Sequence, residues 1–555
     1  MTYLKAGLQP DRTMAAADAE LARLAAQADD AVVVEDIVPL VGMFDNFTTD
    51  PDGRLVSGWI GNREFEYQAG FLVEKLRAPA PDIVPLVGLF DHYECDSTGR
   101  LISGKEITGP TKAAVGGVVL EVGGAATVAA KPALAYGYNA TTGLSFPTEA
   151  MVVYLIIVMG QSLAGGYNSN ADDNPVTTVA EHPGYALMPG ANPWPEDTVF
   201  NSFSDLIEVK KDSTHNKESI CAGMADAIMR RMQADLGFKQ QIIFANCAWG
   251  GTSYAGNPGG TGLKEGGIPW RFLQNLIVNA RAVAAGQGKR LEVLNACILL
   301  GEQDTTYGTT AATYRRDMVQ WHTAFADIIR RLNPEQDRTP LFFVSQTDRP
   351  KDVGAKDTDI PVAMGQLTAP ELSPYVRTVG PIYWTDDSGD KVHPSCRAYR
   401  RIGQMFGHVI CEDQFGRGLD PLKVIDAWWQ SPTVARVRYT MPIAIEATDE
   451  KVKISNLGAG KGINFVDGSG APPEITGIAV VADAADTIEI TLAAPPAGLR
   501  PRFFIANRGT EAGVGRLAGG RSGIRSAAEY STDPQDGAVL YHWACKQVVP
   551  LPVLS

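Results

Sequence analysis

Met151-Val-Val-Tyr-Leu-Ile-Ile-Val-Met-Gly-Gln-Ser-Leu-Ala-Gly-Gly166 is the stretch on which the reading of the fold turns. Its unbroken apolar run, Val152 to Met159, is rich in β-branched residues and suits a strand covered on both faces, as in a parallel α/β sheet. Ligands of such sheets bind at the carboxyl ends of the strands, and Ser162 stands just past that end. Gly160 on one side and Ala164-Gly165-Gly166 on the other permit a tight turn and let a substrate approach the backbone. A serine so placed is either a nucleophile or the cap of the next helix, and this stretch alone leaves both open.

Downstream, the pattern alternates. A long polar loop rich in Asn, Asp and Pro runs to about residue 215, and an amphipathic helix from Lys217 follows, with Ile220, Met224, Ala227, Ile228 and Met232 at helical spacing. Gln241 to Asn246 reads as a strand leading into Ala248-Trp-Gly-Gly-Thr-Ser253. A helix spans roughly Pro269 to Ala285, and a strand from Val293 to Leu300 leads into Gly301-Glu-Gln-Asp-Thr-Thr306. The helix Ala311 to Leu332 buries Met318, Trp321, Phe325, Ile328 and Leu332. A strand at Leu341 to Ser345 precedes a loop-rich stretch, a strand near Val376 to Trp384, the segment Asp386-Asp-Ser-Gly-Asp-Lys-Val-His-Pro394 and a helix from Cys396 to Cys411. Alternating strands and helices predict a right-handed, mostly parallel sheet with its motifs gathered on one edge.

Four short motifs share that edge: Gly160-Gln-Ser162, Gly250-Gly-Thr-Ser253, Gly301-Glu-Gln-Asp304 and Asp390-Lys-Val-His-Pro394. In this order, each at a strand end or in the last loop of the edge, they resemble the SGNH (GDSL-like) hydrolases, and most closely the branch of sialate O-acetylesterases and related carbohydrate acetylesterases. The resemblance covers about residues 150 to 415. It implies an α/β fold, a flavodoxin-like parallel sheet with flanking helices, and a serine esterase that needs no cofactor and no metal. It further implies that Ser162 is the nucleophile, His393 its general base and Asp390 the group that orients the imidazole. An alcohol attacks well only when a neighbouring base takes its proton, and that base works best with its tautomer fixed. Ser162, Gly251 and Gln303 match the family's oxyanion-hole donors. The branch places a Gln immediately before the Gly-Glu pair, where this chain has Leu300, so the sequence leaves open which amide completes the hole. Leu163 replaces the usual Asn after the nucleophile. Asp386 and Asp387 compete with Asp390 for the third role and read as solvated loop charges. Trp249 and Trp270 are the candidate substrate-binding aromatics, with Trp194 and Tyr307 near the same edge. His182 and His215 read as surface residues, and His408 as a structural histidine on a helix face.

Upstream, Asp36-Ile-Val-Pro-Leu-Val-Gly-Met-Phe-Asp45 returns 46 residues later as Asp82-Ile-Val-Pro-Leu-Val-Gly-Leu-Phe-Asp91. Each copy reads as two short strands around a Gly-containing turn, a unit too small to bury much surface alone. The expected organisation is a helical segment over residues 1–30, a tandem β repeat over 31–110 serving attachment or oligomerisation, and a Gly/Ala-rich connector over 111–147. The hydrolase domain follows over 148–418, then a β-sandwich and C-terminal tail over 419–555. Short alternating segments separated by Gly, Pro and Asp turns are the sign of that sandwich.

Bulk properties exclude some partners. A net charge of -14 over 555 residues argues against nucleic acid and anionic lipid, which would need clustered Lys and Arg. Seven cysteines without CxxC or Cys/His spacing suggest neither a disulfide framework nor a zinc site. No segment has the length and apolarity of a membrane span, and the N-terminus shows no secretory signal. The expected activity is removal of O-acetyl groups from a carbohydrate, with a bacterial surface polysaccharide as substrate. The repeats and a C-terminal tail resembling those of phage-encoded SGNH proteins imply a tail fibre or tailspike, expected in a virion or outside the cell, among other virion proteins and as a homo-oligomer, a trimer being one such assembly. The competing reading is a non-catalytic glycan-binding or attachment protein on the same scaffold.

Overall fold

In the computed structural model of the chain, the Val152–Met159 run lies in strand β1 (Val152–Gly160), with every residue buried. The structure describes residues 151–554 except 168, 170–176, 209–217, 257–261, 337, 349–359, 391, 415–417 and 508–514, and before residue 151 only the backbone of short strands. The chain divides into two units, residues 1–131 and 132–555.

In the second unit the chain continues through β2 (Ala186–Pro189), β3 (Phe203–Asp205), α1 (Ile220–Leu236), β4 (Ile242–Asn246), α2 (Ile268–Gly286) and β5 (Arg290–Leu299). After them come α3 (Glu302–Thr306), α4 (Ala311–Leu332), β6 (Leu341–Gln346), α5 (Pro361–Thr368), β7 (Val376–Pro381) and α6 (Cys396–Gln414). One seven-stranded sheet has the order β3-β2-β4-β1-β5-β6-β7. All pairings are parallel except β2 with β3. The run β4-β1-β5-β6-β7 has the flavodoxin-like order, and β2 and β3 extend it inside the segment expected to be a polar loop, so the sheet is mixed. Four- and three-residue strands set among Asn and Pro are too short for alternation to reveal.

The double cover of β1 follows from its side-chain alternation. Val152, Tyr154, Ile156 and Val158 enter one core with Met224 and Ile228 of α1 and Ile402 and Phe406 of α6. Val153, Leu155, Ile157 and Met159 enter the other with Phe272 and Leu276 of α2 and Met318 and Trp321 of α4. Each large side chain so buried contributes about 1.5–3 kcal/mol of transfer free energy, which is why an all-apolar strand is stable only here. Ser219 caps α1, its hydroxyl accepting from the Cys221 N–H at 3.1 Å, and Thr310 caps α4 in the same way through the Thr313 N–H.

Beyond residue 418 lie β8 (Val424–Ser431), β9 (Val434–Tyr439), β10 (Ile443–Ile445), β11 (Asn464–Val466), β12 (Ile475–Val481) and β13 (Ala484–Leu492). They are followed by β14 (Arg502–Ile505), β15 (Ile524–Ser526) and two short strands, then β16 (Gln547–Pro550). β8-β9-β13-β12 make one antiparallel sheet and β11-β14-β16 another, and Trp429 of the first meets Phe465 of the second edge-on, with Phe503 tilted against Phe465. This β region shares a core with the α/β layer: Val437, Ile490 and Phe503 belong to the same apolar cluster as Ile156 and Phe406. The change of strand pattern near residue 418 therefore marks no break in the core.

In the first unit, strands Asn46–Thr49, Leu55–Ile60, Arg63–Gln68 and Phe71–Glu74 form an antiparallel meander, and Phe90–Cys95 pairs with Leu101–Glu106. The expected helical segment over residues 1–30 lies outside the described residues.

Candidate active site

Ser162 and His393 come from opposite ends of the α/β layer and meet above the carboxyl ends of β1 and β5. β4 pairs with one side of β1, and β5, the next strand in the chain, pairs with the other, so this is the crevice where the chain's direction of winding reverses. Gly160 makes the turn possible. Its φ is +140°, and a Cβ there would lie 2.0 Å from the Leu299 carbonyl oxygen of β5, a position no other residue can occupy.

The Ser162 Oγ and His393 Nε2 are 2.9 Å apart. His393 Nδ1 faces Asp390 Oδ2 at 2.6 Å. Asp390 Oδ1 accepts the backbone N–H groups of Val392 and His393, both at 2.8 Å, so the three-residue spacing closes a loop in which carboxylate and imidazole are already aligned. Tyr167, whose N–H donates to the Ser162 carbonyl at 3.1 Å, sets its ring 5.7 Å from the imidazole. The structure thus brings together all three residues expected to form the catalytic group. Asp386 and Asp387 lie in the loop outside this group: Asp386 pairs with Arg516 while its side chain stays 42% exposed, and Asp387 accepts the Gly389 N–H at 2.6 Å.

Beneath the serine lies a polar floor. Gln161 Nε2 donates to Glu302 Oε2 at 3.0 Å, and Gln161 Oε1 accepts the Gln303 N–H at 3.3 Å. Thr347 donates to the other Glu302 oxygen at 2.8 Å. Burial pushes the Glu302 carboxyl above its usual range, with the Thr347 bond opposing. Asp304 is pushed up to about 7 by burial, against the N–H of Tyr254 that it accepts. Through that bond the Gly301–Asp304 segment also holds the Gly250–Tyr254 loop. Sequence reasoning quoted Gln161, Glu302 and Asp304 as motif letters without a role; their signal was two acids flanking a glutamine just after an apolar strand.

Gly250 packs against the nucleophile, a Cβ at that position lying 3.8 Å from that of Ser162. Among the described residues, neither the Ser162 N–H nor the Gly251 N–H donates to a protein group, and Gly251 is exposed. Gln303 is half-buried; its backbone N–H is taken by Gln161, and its side-chain amide bonds to no described residue. Trp249 is 41% exposed beside this loop, edge-on to Phe272, and Tyr307 is also exposed. Trp270 corrects an expectation. It is 2% exposed, packed with Phe272 and Leu273 in the core under the sheet, and lines no surface. Trp194 is buried as well.

Of the other histidines, His182 is buried rather than at the surface, with Asp226 at 3.2 Å and Lys239 at 3.1 Å from its two nitrogens. His408 stacks on Tyr530 with ring centres 4.6 Å apart. His215 lies outside the described residues. Glu181, His182 and Asp226 have ligand atoms close enough to hold a metal ion. Arg400 and Arg230 already neutralise them, at 2.9 Å from Glu181 and from Asp226 respectively. Although burial works against it, the Asp226 carboxyl is held below its ordinary range by His182 and these arginines, so the cluster works as an ion-pair network.

No family model matches the chain, and no curated protein matches it. Among solved structures it is similar to NanS, at 16% identity over 48% of this chain and 98% of that one, with a TM-score of 0.33. It is also similar to a protein from Arabidopsis thaliana, at 15% identity over 47% and 98% with a TM-score of 0.32. A third is Est24, a carbohydrate acetylesterase from Sinorhizobium meliloti, at 13% identity over 47% and 97% with a TM-score of 0.25.

Proposed function

We propose that this protein hydrolyses carboxylic esters, and specifically removes O-acetyl groups from a carbohydrate. The observation that carries the reading is the continuous hydrogen-bonded line from Ser162 Oγ through His393 to Asp390, at 2.9 and 2.6 Å, at the open end of a parallel sheet. Ser162 Oγ attacks the acyl carbon while His393 Nε2 takes its proton. The resulting oxyanion is met by the N–H groups of Ser162 and Gly251, with the Gln303 amide as third donor. As the bond from the acyl carbon to the sugar oxygen breaks, His393 gives its proton to that oxygen, releasing the sugar hydroxyl and leaving an acetyl-serine, and a water activated by the same imidazole releases acetate. Asp390 keeps the Nδ1 proton in place throughout.

Exposed Trp249 and Tyr307 beside the loop offer flat faces on which a sugar ring can stack. The 46-residue repeat supports attachment to a larger assembly, and a virion tail acting on a bacterial surface polysaccharide is part of the same proposal.

Acetate release from an O-acetylated polysaccharide and hydrolysis of p-nitrophenyl acetate, each by wild type and by Ser162→Ala, test it. Activity in the wild type and its loss in the variant are expected. Equal rates would eliminate the enzyme and leave a glycan-binding protein.

A further inference from the structure

We infer that Arg516, in the C-terminal β region, is a positioning residue for the His393 loop, so that this region completes the active site instead of being appended to it. The inference rests on the hydrolytic reading of Ser162, His393 and Asp390.

The segment Gly515-Arg516 threads between three parts of the molecule. The Arg516 N–H donates to the Thr385 carbonyl at 2.9 Å, and the Arg516 carbonyl accepts the Lys453 N–H at 2.9 Å. The Arg516 guanidinium donates through Nε to Asp386 Oδ1. The Gly515 N–H donates to Asp348, just after β6, and Asp348 is in turn 3.6 Å from the Lys546 ammonium. The approach is close enough to demand glycine: φ at residue 515 is +79°, and a Cβ would lie 2.6 Å from the Thr385 oxygen.

Thr385 and Asp386 are the root of the loop that carries the triad's acid and base. The Asp386 carbonyl accepts the Ser395 N–H at 3.0 Å, and Asp387 bridges to Pro394, so the loop closes on itself directly above the residues that Arg516 holds. Inside the closed loop, Ser388 N–H donates to the His393 carbonyl at 2.7 Å. Leu163, Glu302, Asp348, Thr385, Val392 and Gly515 line one small cavity, which puts the C-terminal segment in the wall that the nucleophile turn and the histidine loop share. Within that loop Asp390 aligns His393; what sets the whole loop against Ser162 is the grip at its root. A displacement of about 1 Å at a reacting pair costs on the order of a hundredfold in rate, so a partial loosening is expected to cost about tenfold.

The experiment uses the full chain with p-nitrophenyl acetate as probe and compares Arg516→Ala, Arg516→Lys, Asp386→Ala and the double variant with Arg438→Ala, whose ion pair with Asp426 is exposed and distant. Arg516→Ala is expected to lower kcat about tenfold with KM within about twofold, Arg516→Lys to recover part of the loss, and Arg438→Ala to leave kcat unchanged. The double variant is expected to be no worse than the poorer single one, because both remove one contact. Hydrogen exchange of the peptide covering residues 385–395 is expected to accelerate in Arg516→Ala while the rest of the α/β layer keeps its protection. Unchanged kcat with unchanged exchange in that peptide overturns the inference, as does acceleration spread over the whole layer. If wild type shows no Ser162-dependent hydrolysis, the hydrolytic reading fails and with it the role assigned to Arg516; activity in wild type with no response to Arg516→Ala overturns the positioning role alone.

Discussion

Asp390 divides its two oxygens between different tasks, one facing the imidazole and one holding the backbone of the loop. Two substitutions there should separate. Asp390→Asn keeps a side-chain oxygen for the backbone N–H groups and is expected to lower kcat by about 10²–10⁴-fold with a near-native fold. Asp390→Ala is expected to lose both activity and local protection, seen as faster exchange over residues 385–395. Ser162→Ala should abolish turnover without changing the thermal midpoint. At this scale the triad was legible because each member carries a local signature: a serine just past an apolar strand, and an acid three residues before a histidine. The partners of Gln161 and Glu302 were not, since a buried amide and a buried carboxylate are stable only opposite one another, and the two are 141 positions apart in sequence. Trp270 was misread for a simpler reason. It repeats with Leu273 and Ile277 at helical spacing, a core stripe whose first residue happens to stand near the catalytic edge.

Among the elements, β1 was predictable because its residues from Val152 to Met159 are apolar throughout, the Tyr154 hydroxyl apart, as suits a strand covered on both faces. Ile156→Ala removes a fully buried side chain between α1, α6 and the sheet and is expected to destabilise by about 2–5 kcal/mol in urea unfolding with an unchanged m-value. β2 and β3 escaped prediction. Pairing with β4 stabilises β2, and pairing with β2 stabilises β3, so neither has a periodicity of its own to display.

The whole molecule should respond to acid through the seam between α6 and the C-terminal β region. There His408 and His542 lie with ring centres 5.2 Å apart. Burial pushes His408 down to about 3, helped by His542 and Arg231, and pushes His542 down to about 4. Unfolded imidazoles take up protons below about 6.5 while these two stay neutral, so the unfolded chain binds more protons and stability falls as pH drops from about 6.5 to 4. Glu208, pushed up to about 7 by burial, acts in the opposite sense, so the test is a difference between variants. His408→Phe, which preserves the stack on Tyr530, is expected to show a shallower fall of thermal midpoint over that range than wild type. The seam itself was not legible. The alternation beyond residue 420 announced strands correctly, but nothing in a run of strands says that its apolar face is shared with the helix before it.

Gln346, at the end of β6, exchanges two hydrogen bonds with the backbone of Lys546, at 2.9 and 2.8 Å. A ribosome making this chain releases β6 long before it reaches residue 546. Until then the glutamine keeps its bond to the Ala363 carbonyl but lacks this second anchor, and Asp348, which receives the Gly515 N–H, lacks the Lys546 ammonium, so a nascent or prematurely stopped product would carry every residue of the proposed triad and still be silent. Onset of ester cleavage during synthesis should therefore coincide with emergence of the final strands, well after the serine and histidine have both left the exit tunnel.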